Sequence, residues 1–172
     1  LLYNDSKYTP DGRWKPIYSI INDKLYVLGG RSGAAGSTNQ DESFSDVFYF
    51  DFIEKEFVSV GKLNPSITPK YALFSYPKID DNILIVNNKY LTKIDFEKLT
   101  FTNYSRGKAF SYVDNKYPSF IDNQNLYYIS DLNGEKLINS ININSINNDF
   151  NSETLPLIIN ESKISITQYV LF

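Results

Sequence analysis

Short alternating apolar runs recur along this chain in sets of four, and that repetition constrains the fold more than any other feature. The stretch "NDKLYVLGG" at 22 aligns with "DDNILIVNN" at 80 and "DNQNLYYIS" at 122. Later in each set, "FDFIEKEF" (50–57) aligns with "IDFEKLTF" (94–101) and, more loosely, with "ININSINNDF" (141–150). The first set reads "PIYSII" (16–21), "KLYVLGG" (24–30), "DVFYFDF" (46–52) and "EFVSVG" (56–61). The second reads "YALFSY" (71–76), "NILIVN" (82–87), "YLTKIDF" (90–96) and "LTFTNY" (99–104). The third holds "YPSFID" (117–122), "NLYYIS" (125–130), "KLINSINI" (136–143) and a weak fourth run near Phe150. Two-residue periodicity bounded by Asn, Asp, Gly and Pro marks strands, and no window of a dozen residues carries a helical stripe. The chain reads as all-β.

The sets are spaced about 58 and then about 42 residues apart, and the difference sits between second and third strands. That connection is "RSGAAGSTNQDESFS" (31–45) in the first set and barely "NK" in the second. Uneven loops on an even frame are what repeats with surface insertions show, and a repeated four-stranded unit of this length is the signature of a β-propeller blade. The expected architecture is a partial β-propeller of four-stranded antiparallel blades within a single domain, 1–172. Its parts are the end of a preceding blade (1–15), blades over 16–63, 71–105 and 117–155, and the start of a further blade (156–172). Each blade is a twisted sheet with two apolar faces, so Leu25 and Val27 should face one neighbour, Tyr26 and Leu28 the other. Three blades cannot close a ring that needs at least about four. The remaining blades are expected from the rest of a longer chain or from a second copy. The start on Leu1-Leu2 and the strand-like ending "ITQYVLF" agree with a piece of a longer protein.

The first set resembles a kelch repeat. In "PDGRWKPIYSIINDKLYVLGG" (10–30), a Pro and an Arg precede an inner strand carrying a small residue, Ser19; a turn and an apolar strand ending in double glycine follow. "SDVFYFDFIEKEF" (45–57) matches the second half, with Phe57 where that family often has Trp and Pro16 where it commonly has His. The resemblance covers about 10–61 and fades in "LIVNN" and "YYISD", which lack the double glycine. It implies a structural role for Arg13 and a scaffold that binds another protein through loops on one face. Gly29 and Gly30 then serve a positive-φ exit from the sheet and close approach of a neighbour. Asn87 and Asn88, in their place, tolerate the same conformation next best. A phosphate-binding turn would need a helix after the glycines, and a β run follows instead.

Composition narrows the chemistry. Cys, His and Met are absent, so the segment has no thiolate or imidazole for nucleophilic, basic or zinc chemistry. A net charge of −3 supplies no basic field, which disfavours nucleic acid. No apolar run reaches the roughly 20 residues of a membrane-spanning helix. The expectation is a non-enzymatic chain without cofactor or metal. A sialidase would need three Arg gathered on a carboxylate, and "TPDGRW" (9–14) has the wrong spacing for the Asp-box turn. A copper-radical oxidase would need His and a Cys-linked Tyr. Paired acids at Asp80-Asp81, Asp41-Glu42 and Asp122 fall in turns, where carboxylates usually cap backbone amides.

Within one blade, second-to-third and blade-to-blade connections emerge at the same end. That groups 31–45 with 62–70 and 105–116 on one face. The candidate partner-binding residues are Arg31, Ser32, Asn39, Asp41, Glu42, Arg106 and Lys108, although 31–45 also reads as a plain solvated insertion. Trp14 fits either the core or that face. The alternative to a scaffold is the frame of a propeller enzyme or glycan-binding surface protein whose active residues lie elsewhere; a β-sandwich would instead show two packed sheets. Absence of Cys fits a cytoplasmic protein, with an extracellular one as the alternative. Sequons at Asn4, Asn103 and Asn160 are no more than chance supplies in so Asn-rich a chain.

Overall fold

A computed structural model describes residues 8–32, 43–67, 72, 75–107, 110 and 112–159. The first sheet is an antiparallel meander of β1 (Ile17–Ile21), β2 (Lys24–Leu28), β3 (Asp46–Asp51) and β4 (Glu56–Leu63), paired in chain order. The second repeats that order with β5 (Lys78–Ile79), β6 (Asn82–Val86), β7 (Leu91–Asp95) and β8 (Thr100–Ser105). The third has β9 (Phe120–Asp122), β10 (Asn125–Leu132) and β11 (Glu135–Asn142).

The aligned turns of the first and third sets adopt matching conformations, whereas in the second only Asp80 takes a positive φ, of 50°. Asn22 and Asp23 take φ of 48° and 58°, and Asn123 and Gln124 take 45° and 64°. These are the paired left-handed residues of a two-residue hairpin, which suits the twist of the flanking strands. Between β3 and β4, Asp51 Oδ1 accepts from the amides of Ile53 and Glu54 at 2.9 and 3.1 Å, and the chain returns through Lys55 at φ 56°. Between β7 and β8, Asp95 Oδ1 accepts from the Lys98 amide at 2.9 Å, and Leu99 takes φ 51°. The carboxylate of the Asp-Phe motif therefore closes both hairpins.

Packing follows the alternation. In β6, Ile83 and Ile85 enter one core cluster while Leu84 and Val86 enter another. The first cluster joins them to Ile17, Leu28 and Val47 of the first sheet; the second joins them to Leu126, Tyr128 and Ile141 of the third. The second sheet is thus apolar on both faces and is covered on both. Tyr26 and Leu28 belong to the first cluster, so they face the second sheet as the alternation requires. Leu25–Leu28 and Ile83–Val86 lie in separate sheets stacked face to face.

The third set departs from the quartet. Where a fourth strand near Phe150 was expected, Ile143–Ser145 form a 3-10 turn and Ile146–Asp149 a short helix. Asn142 Oδ1 caps the turn by accepting from the Asn144 amide at 3.0 Å, which is the local competition by which Asn side chains displace a strand ladder. Ile146 is buried in the second cluster, and Phe150 stacks on Phe110 with ring centroids 5.6 Å apart. The chain then leaves the third sheet. β12 (Asn151–Pro156) pairs with β8, and β13 (Ile158–Ile159) pairs with β4, so one segment runs along the outer edges of the first two sheets.

Leu157, between those strands, is fully buried in the first cluster. Its amide donates to the Leu99 carbonyl and its carbonyl accepts from the Asn64 amide, both at 2.8 Å. The Asn64 side-chain amide donates to the Pro156 carbonyl at 2.9 Å. Gly61, at φ 145°, leaves the room Ile158 occupies: a Cβ there would stand 2.6 Å from Ile158 Cγ2. Leu157→Ala should cost about 2–5 kcal/mol of unfolding free energy, read as a lower denaturant midpoint with an unchanged slope.

Candidate functional site

The candidate residues belong to the end of the sheets where β2–β3, β4–β5, β6–β7 and β8–β9 connect. At the first sheet it is organised by Arg13. The guanidinium forks onto Asp46, with Nη1 to Oδ1 at 2.7 Å and Nη2 to Oδ2 at 2.9 Å, and Nη1 also donates to the Gly29 carbonyl at 2.9 Å. Phe44 and Phe48 rings flank it at 4.3 and 4.8 Å. The Arg13 side chain is 5 % exposed, so the cation is consumed by the frame, in line with the structural role the resemblance implies.

The double glycine serves that cluster. Gly29 and Gly30 have φ of 55° and 99°, and a Cβ on Gly30 would stand 3.2 Å from both Arg13 Cδ and the Trp14 carbonyl oxygen. The close approach thus comes from the preceding segment. In the second set neither Asn87 nor Asn88 takes a positive φ; instead Asn87 Oδ1 accepts from the amides of Lys89 and Tyr90, both at 2.9 Å. Asn substitutes here through its side-chain acceptor rather than its backbone freedom.

Tyr8 completes the cluster, its hydroxyl donating to Asp46 Oδ2 at 2.9 Å. Burial first, then this bond to a carboxylate, pushes the Tyr8 hydroxyl up to about 12. Burial alone would raise the Asp46 carboxyl, but bonds from Arg13 and Tyr8 with the Arg13 charge hold it below its ordinary value.

Arg31 sits at the root of the long connection. Its backbone bridges both Trp14 and Ser43, and its guanidinium lies 5.6 Å from the Trp14 ring centroid, with Lys15 Nζ over the same ring at 4.5 Å. Ser32 is half-buried beside it. Arg106 belongs to another cluster, 5.7 Å from the Phe150 ring centroid. Asn39, Asp41, Glu42 and Lys108 lie outside the described residues.

Among the described residues, two clefts open at these connections. One, of about 520 Å³, runs along the first sheet past Tyr8, Asp46, Ser59 and Lys62. The other, of about 390 Å³, gathers Ser66 from the first crossover, the 87–90 turn, and Asn115 from the second crossover around Thr92 and Asn103. Thr92 and Asn103 are cross-strand partners, 1 % and 7 % exposed, and Thr92 Oγ1 donates to Asn103 Oδ1 at 2.7 Å. By strand register, Thr92 opposite Ile85 corresponds to Phe48 opposite Val27, so polarity replaces an aromatic at this blade position. Sequence reasoning passed over the pair. The available signal was the alternation in "LTFTNY", which puts Asn103 inward like Phe101.

A carboxyl whose folded value is depressed contributes stability that is present above its unfolded value and lost as pH falls through the folded one. The Arg13–Asp46 contribution should therefore be complete at neutral pH and fade below about pH 4. Asp46→Asn should destabilise the chain by about 3–5 kcal/mol at neutral pH, since it strands a buried guanidinium, and should flatten the acid limb of stability against pH. Chemical denaturation across the acid range reads both effects.

Residues 15–64 match the family model described as the Kelch motif, and those limits span β1 to β4 with the start of the first crossover. No curated protein matches the chain. The first sheet is therefore a kelch repeat, and the chain that carries it is all-β and built as part of a β-propeller.

Proposed function

We propose that this chain is a kelch-type scaffold that holds another protein on the loops at one end of its sheets. One observation carries the reading: connections belonging to successive sheets converge there, with Ser66, the 87–90 turn and Asn115 lining a single cleft. Loops held by a rigid β frame are where recognition residues concentrate. The kelch motif at 15–64 supports the scaffold class. Arg31 and Ser32, with Asn39, Asp41 and Glu42 beyond them in the longest connection, and Arg106 and Lys108 in the second crossover, are the proposed contacts. Asp46 and Arg13 are excluded, since each satisfies the other.

Further blades complete the frame in this reading, supplied by the rest of a longer chain or by a second copy. The outward face of the first sheet exposes Tyr18 and Ile20 at 52 % and 55 %, and that of the third exposes Phe120 and Ile138 at 55 % and 76 %. Apolar sheet faces of that kind are what one blade offers the next.

A triple variant, Arg31→Ala with Asp41→Ala and Glu42→Ala, should lose a partner that the parent chain recovers on affinity capture, while its thermal unfolding shifts little. Undiminished recovery would remove the loop from the proposal.

A further inference from the structure

The geometry points to the cleft over Thr92 and Asn103, the same cleft on which the protein-partner reading rests, as a binding site for a neutral saccharide. The floor is fixed before any ligand arrives, because both residues lie within strands and the hydrogen bond between them sets their orientation. Thr92 spends its hydroxyl hydrogen on Asn103 Oδ1, which leaves Thr92 Oγ1 as an acceptor. Among the described residues, Asn103 Nδ2 has no hydrogen-bond partner, and the residue lines the cleft. A donor and an acceptor therefore stand side by side at the bottom of a concave site.

Two neighbouring hydroxyls of a sugar match that pair, one accepting from Asn103 Nδ2 and the other donating to Thr92 Oγ1. The rest of the lining is suited to the same chemistry. Ser66 and Asn115 offer further neutral hydrogen-bonding groups at the rim, and Tyr90 supplies an aromatic wall. Among the described residues no carboxylate lines the cleft, and its polar lining is mostly neutral. Lys89 is the one charge among the described lining residues, and Tyr90 already engages it, with the ring centroid 4.9 Å from its ammonium. A volume of about 390 Å³ lies toward the small end for ligand pockets, which fits a mono- or disaccharide. Thr92 also stands where the first sheet packs Phe48, and Asn103 where it has Ser59, so the second sheet places a fully polar pair at this level of the blade.

The test is an NMR titration of the ¹⁵N-labelled full chain with cellobiose, maltose and lactose at millimolar concentrations. Saturable shifts at the amides of Lys89, Tyr90, Thr92 and Asn103 with at least one sugar are the expected result. Thr92→Val removes the acceptor and should weaken that binding about tenfold. Because a buried substitution can disturb the sheet, Asn115→Ala on the exposed rim is the second variant; it should weaken binding with the rest of the spectrum unchanged. Absence of saturable shifts with all three sugars overturns the assignment. So does unaltered binding in both variants, or a response confined to an acidic peptide titrated in parallel.

Discussion

The second sheet is apolar on both faces, and this single constraint organises everything around it. A sheet wet on one side can stand on one layer of packing, but β6 turns Ile83 and Ile85 one way and Leu84 and Val86 the other. Water must be excluded from both sides, so a sheet must lie on each. The first and third sheets meet that demand, and each then presents its own second face outward. Propagation of the same requirement from sheet to sheet is the physical content of the propeller architecture.

The kelch motif adds a second level of organisation at the entrance to the first sheet. Its double glycine answers both to the positive-φ exit from the sheet and to what lies over it: a Cβ on Gly30 would stand 3.2 Å from Arg13 Cδ and the Trp14 carbonyl oxygen, which would have to give by a few tenths of an ångström. Arg13 ties the incoming segment to the end of β2 through the Gly29 carbonyl and to the start of β3 through Asp46. The long connection can leave the frame at Arg31 without loosening the strands it joins.

Much of this was legible in the sequence because the determinants are local. Alternation in "KLYVL" and "NILIV" is read directly as two-faced strands, and the Asp-Phe hairpins repeat because the same carboxylate makes the same turn. What stayed hidden depends on long-range pairing. Nothing local distinguishes "NSETLP" as an edge strand of the second sheet from the end of a third blade; the choice follows from β8 having an open edge. The Asn-rich run before it reads equally well as a degenerate strand, and its helical turns are selected by burial of Ile146 and by Phe150 on Phe110. At the candidate face, Arg13 was readable through the resemblance, whereas Thr92 and Asn103 became visible only when their register and burial were known. Arg31 and Arg106, grouped by loop position alone, sit against different aromatic residues.

The segment from Asn151 to Ile159 sets the order in which this molecule can be made. Asn64 reaches its partner at Pro156 across 92 positions of chain, so the outer margins of the first two sheets stay unfinished until the ribosome has delivered the residues that seal them. Such distant closure is slow relative to hairpin formation, and until it happens two open edges are available for pairing with other chains. A nascent chain arrested before Leu157 would accordingly hold its hairpins yet be adhesive, and the passage from sticky to sealed would wait on Asn151–Ile159.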